Sequence, residues 1–211
     1  MNAVKYLFKL AAAVAIVASS ILATAVTANG ATTIKGSKHD LTLQTWGTNQ
    51  ICIYCHASHN ALSTLVPLWN HGTTVQAAYT LYGNPNGTMQ AVTAQPSGTS
   101  KACLSCHDGT VANDTFGGAT GSHSISGLSN LGTDLSKTHP ISFTYDAALA
   151  IADKALVSPA SAAKVDAAGN IPLFLGKVEC GSCHAVHDST YTPFLRMNNN
   201  GSAMCLTCHI K

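Results

Sequence analysis

The chain has 211 residues and a formal net charge of +2 from 11 basic and 9 acidic side chains, with no basic run and no basic-aromatic interleaving, which excludes nucleic acid as an expected partner. Its length permits a sizeable core, but only 6% of residues are aromatic and 9% charged, and small polar residues fill long stretches such as 87–103. So few large apolar side chains exclude an ordinary aliphatic core and require another organiser, such as disulfides, a metal or a large bound group.

In chain order, Lys5 and Lys9 precede an apolar run from Leu10 to Val26 that ends in small residues, Ala23-Thr24-Ala25 or Val26-Thr27-Ala28. This predicts a secretory signal peptide over residues 1–28, since the run falls short of the about 18–20 apolar residues an anchor helix prefers. No other long apolar run follows, so residues 29–211 are expected as one exported domain with no stable membrane span. His39 stands in "SKHDL" beside Asp40, which is placed to orient its imidazole. "CIYCH" (Cys52, Cys55, His56) comes next, with His59 three residues on, then His71 in "PLWNHG" and "CLSCH" (Cys103, Cys106, His107). His123 follows in "TGSHSI" and His139 in "THPISF", where Pro140 biases its neighbour toward an extended backbone.

The stretch "YDAALAIADKALVS" (145–158) predicts a helix started by Asp146 and stopped before Pro159, with a second short helix from Pro159 toward Gly169. "CGSCH" (Cys180, Cys183, His184) carries His187 three residues on, and "CLTCH" (Cys205, Cys208, His209) lies two residues from Lys211. Short helical turns are expected after each motif, and loops elsewhere.

All eight cysteines thus fall into four copies of Cys-x-x-Cys-His, the attachment signature of haem c. Two thiols add to the two vinyl groups of one porphyrin, and the imidazole that follows reaches the iron from one face. A lone Cys-x-x-Cys also suits a zinc half-site or a redox disulfide. Neither requires a histidine after every pair, which with 10 histidines in 211 residues is a chance of roughly a few in a million. The reading is four covalently bound haem c groups, which also protects exported thiols from oxidation. The expected fold is a multihaem cytochrome c: mostly loop or coil, a few short helices and little or no sheet, organised around the four haems. Gaps of 46, 72 and 20 residues separate the motifs, so the third and fourth form a close pair. The fourth haem is expected to be hard to enclose and well placed for contact with another molecule.

Each iron has a second axial position. Six histidines remain for four positions: His39, His59, His71, His123, His139 and His187. If "CHAVH" and "CHASH" are helical, the two histidines of each share one side, so His187 and His59 cannot cross to the far face of their own haem. His187 has the fourth motif 18 positions on. The target of His59 is either a distant haem of the same chain or a haem of another subunit. His139 and His39 complete the expected set, with His71 or His123 able to replace a member. Met89, Met197 and Met204 are the weaker candidates, and Trp46 and Trp69 are expected to pack against haem.

The segments "SKHDL", "ICIYCHASHNA", "PLWN", "CLSCHDGTVA", "THPISF", "CGSCHAVH" and "FLRMNNNGSAMCLTCHIK" resemble the secreted multihaem c-type cytochromes with paired Cys-x-x-Cys-His motifs. The layout is most similar to the extracellular tetrahaem cytochromes that polymerise into filaments. That resemblance implies bis-histidine haems stacked in a row, with His39, His139 and His187 as distal ligands and His59 donated to a haem of the adjacent subunit. It implies a homopolymer exchanging electrons with other cytochromes or extracellular acceptors, and no enzyme activity. A monomeric periplasmic shuttle, or a haem reductase with one open axial site, would carry the same motifs.

Overall fold

The computed structural model describes residues 34–62, 65–83 and 87–210, and the expected signal peptide lies outside them. Among the described residues, four short α-helices and two short strands interrupt a path of turns and coil: α1 (Gly98–His107), β1 (Phe143–Thr144), α2 (Ala147–Asp153), β2 (Lys177–Val178), α3 (Cys180–Cys183) and α4 (Ala203–Cys208). The strands form one antiparallel ladder, Phe143 opposite Val178 and Thr144 opposite Lys177. Two small clusters replace a continuous core. One joins Phe143, Tyr145, Val165, Ile171, Leu173 and Val178, with Met197, Met204 and Cys208 packed against it. The other joins Tyr79, Leu104 and Leu135.

The start of α2 follows the sequence, because the Asp146 carboxylate accepts the Leu149 N–H at 2.8 Å. Its end does not. Lys154 turns left-handed (φ 60°), and the backbone beyond it pairs with the last motif: Val157 N–H donates to the Cys208 carbonyl and Ile210 N–H to that of Ala155, both at 2.8 Å. Those long-range bonds outcompete another helical turn. The expected helix from Pro159 toward Gly169 is absent from the structure. Val165, 2% exposed, is tied to Ile171 by its N–H, and Asp166 accepts from the N–H groups of Asn170 and Ile171, closing a tight loop in which Gly169 takes φ +81°.

The motifs do not precede helical turns as expected. Three of them end helices: α1 closes on His107, while α3 and α4 stop at Cys183 and Cys208 and leave His184 and His209 extended as C-caps. The first motif is a run of turns, with His56 N–H donating to Cys52 carbonyl at 2.8 Å. The glycine in "CGSCH" follows from helix packing, because a Cβ on Gly181 would stand 3.0 Å from the Phe174 ring and from Thr99 Oγ1.

Candidate haem-binding site

The four motifs come together in chain order. Cys55 lies within electrostatic reach of Cys106, the Cys103 and Cys180 side chains hydrogen-bond, and Cys183 lies within reach of Cys205 and Cys208. Burial pushes the Cys106 thiol up to about 12 and the Cys208 thiol to about 11. Such thiols stay protonated at neutral pH, in apolar surroundings unlike those of a reactive thiolate.

The histidines form facing pairs. The ring of His39 lies 6.0 Å from that of His107, His187 lies 6.1 Å from His56, and His139 lies 6.4 Å from His209, centroid to centroid. An imidazole–metal bond is about 2 Å long, so one metal between two rings separates their centres by roughly 6 Å. Among the described residues no second imidazole faces His184, and His59 makes no ring contact. His187 therefore stands beside the first motif, not the fourth. The helical premise also fails, since His184 has φ −113° and ψ 139°.

Hydrogen bonds select the tautomer. His56, His107 and His184 each donate Nδ1–H to a backbone carbonyl, of Pro67 (2.9 Å), Ser129 (2.8 Å) and Pro193 (2.9 Å), and His139 does the same to Pro140 (2.8 Å). This leaves Nε2 with its lone pair for a metal, the outer bond that orients ligating imidazoles. His39 differs. Asp40 was expected to orient it, but that carboxylate is engaged by Gly36 and Thr42, and the buried His39 Nδ1 has no partner. Burial, then the neighbouring His107, lowers the His39 pKa to about 4, so the ring is neutral at pH 7.

The remaining histidines have other engagements. His71 is 1% exposed, with Nδ1 2.7 Å from the Gly72 carbonyl and Nε2 3.1 Å from that of Ala112. His123 donates Nδ1–H to Asp114 at 2.7 Å and stacks on Trp46, with ring centres 5.2 Å apart. Met197 accepts from Thr207 Oγ1, and Met197 and Met204 pack against the larger cluster.

The residues fit haem. An open cavity of about 460 Å³ lies against the first motif, lined by Cys52, His56, Ala57 and His59 among others. Three buried side-chain atoms lack partners among the described residues, His39 Nδ1, Trp69 Nε1 and Thr99 Oγ1. Leaving such an atom unpaired costs about 1–3 kcal/mol. Two of the three flank motif histidines, since the Trp69 ring lies 6.3 Å from His56, where its N–H could meet a haem carboxylate. Sequence reasoning missed Glu179 and Asp108, buried acids that adjoin the third and second motifs. The signal was there: nine acidic residues in the chain, two of them abutting a Cys-x-x-Cys-His.

A family described as the doubled CXXCH motif matches residues 174–211. This feature of multihaem c-type cytochromes suggests c-type haem binding and electron transfer. Cytochromes that carry it are typically exported, and among the described residues no helix is long and apolar enough to cross a membrane. No curated protein matches the chain.

Proposed function

We propose that the chain is an electron conduit holding four covalent haem c groups, with each iron between two imidazoles. It serves as the subunit of an extracellular filament, as the likeness to the filament-forming tetrahaem cytochromes implies. Haem supplies one-electron ferric/ferrous chemistry, and the protein supplies anchors and spacing. Cys52 and Cys55, Cys103 and Cys106, Cys180 and Cys183, and Cys205 and Cys208 anchor the four groups. His56 with His187, His107 with His39, and His209 with His139 would each hold one iron, and two imidazoles on an iron would favour transfer over catalysis.

The observation that carries the reading is the one motif histidine without a facing ring. Three of the four have an in-chain partner near 6 Å, His184 has none among the described residues, and His59 is exposed with no ring beside it. In the proposed filament His59 of one copy completes the axial pair of His184 in the next. Pairing across copies makes polymerisation and iron saturation one event.

The same open side at His184 favours a second reading, a haem reductase or shuttle that works as a monomer. Electron microscopy and carbon monoxide binding separate them. Uniform filaments with four low-spin haems are expected of the purified protein. His59→Ala is expected to keep four covalent haems, lose the filaments and expose one high-spin, carbon monoxide-binding iron. Filaments that persist in that variant would refute the cross-subunit assignment, and a parent protein that is monomeric and binds carbon monoxide would favour the reductase.

A further inference from the structure

Glu179 is the only glutamate in the chain and is 2% exposed. It N-caps α3, accepting the Ser182 N–H, while Ser182 Oγ accepts the N–H of Glu179 at 3.0 Å. Its other partners come from elsewhere in the chain. Ser97, the N-cap residue of α1, donates to Oε1 at 3.0 Å; Ser100, in the first turn of α1, and Ser142, at 2.8 Å, donate to Oε2. Ser100 Oγ also accepts the Cys180 N–H at 2.9 Å and Ser142 Oγ the Ser97 N–H at 3.3 Å, so the same hydroxyls tie the carboxylate to the starts of both helices. A carboxylate accepts from all of these hydroxyls.

The result is a buried anion shared by the N-termini of the two helices that carry the second and third motifs. Their Cys103 and Cys180 side chains are in hydrogen-bond contact. The other two buried acids adjoin site histidines in sequence: Asp108 follows His107, and Asp40 follows His39, whose ring faces His107.

We propose that Glu179 shapes the electron path, its fixed negative charge holding the reduction potentials of the haems at the second and third motifs below those at the first and fourth. The inference rests on the haem reading above. Reduction transfers one electron from a one-electron donor to a ferric iron and leaves it ferrous, so the centre loses one positive charge. A neighbouring anion opposes that change, and the protein interior screens the opposition less than water does. The serine hydroxyls hold the carboxylate in place, so it cannot turn away or take refuge in solvent. The path then dips in potential at its middle, and electrons rest preferentially at the outer haems.

Spectroelectrochemical titration of the purified holoprotein tests this, with haem counted by pyridine haemochrome. Glu179→Gln is expected to keep four haems and move two of the four potentials positive by about tenfold in the reduction equilibrium, about 59 mV for one electron. The other two stay in place. Glu179→Asp keeps the charge and brings the shifted pair back toward the parent. Because the glutamine also weakens a helix cap, Ser97→Lys provides a second route: it keeps the carboxylate, sets a cation beside Oε1, and is expected to move the same two potentials positive. Titrations that superimpose on the parent in every variant carrying four haems overturn the proposal and leave the haem reading standing. A parent without covalent haem overturns both.

Discussion

The second motif closes a ten-residue helix in which Leu104 and Ser105 are buried, and the third caps its own short helix against it through Glu179. The first motif lies in successive turns with both cysteines exposed, and the fourth ends a helix whose described residues include none that is buried. The inner motifs are thus joined helix to helix by capping and a buried carboxylate, whereas the outer ones are tied in by single side chains, Tyr54 of the first at 1% exposure and Cys208 of the fourth against the larger cluster. The two kinds of attachment coexist in one chain because small polar residues cannot supply four aliphatic cores.

The sharpest way to break this contrast is to delete anchors. Cys180→Ser with Cys183→Ser and Cys52→Ser with Cys55→Ser should each remove one haem by mass and pyridine haemochrome. The inner pair should also lower accumulated protein severalfold, since its loss unpacks α1 from α3, while the outer pair should leave accumulation near the parent level. Equal accumulation of the two would show that the inner half is no better pre-formed. A smaller effect is expected of Tyr145→Phe. The Tyr145 hydroxyl donates to the carbonyls of Val157 and Cys208 at 2.7 and 3.2 Å. Losing it should cost about 1 kcal/mol and lower Tm by about 2–4 °C, read by thermal unfolding.

The smallest effect is expected of Asp114→Asn, whose carboxylate holds the His123 loop. Burial works upward on the Asp114 carboxyl, but the His123 side chain and the N–H groups of His123 and Ser122 outweigh it and hold the pKa at about 2. Because the folded pKa is depressed below the ordinary 3.8, the stabilisation is present above about pH 4 and is lost as pH falls toward 2. The stability difference between the parent and the variant should therefore be full above about pH 4 and shrink as pH falls toward 2, read from unfolding at a series of pH values, and a difference that does not change with pH would remove Asp114 from the account.

The start of α2 was legible because it rests on contiguous residues, Asp146 ahead of an apolar run, and the doubled motif at 174–211 because it rests on Cys-x-x-Cys-His spacing. What was not legible depends on distant partners. The early end of α2 is set by residues 208–210, some 50 positions away, and the loop at 159–169 by the hydrogen bonds of Asp166 and the burial of Val165. Histidine pairing was hidden for the same reason. His187 meets His56 across more than a hundred residues, and no local pattern announces it. Glu179 was overlooked because its meaning lies in serines 37, 79 and 82 positions away.

The strap between residues 155–157 and the last motif has a consequence for maturation. Cys208 packs on the cluster around Phe143 and Tyr145, which remains incomplete until residues 208–210 dock. Any assembly factor that must grip an extended Cys-x-x-Cys-His has to finish with the fourth copy before that docking. Were haem carried there, its attachment would have to precede that closure.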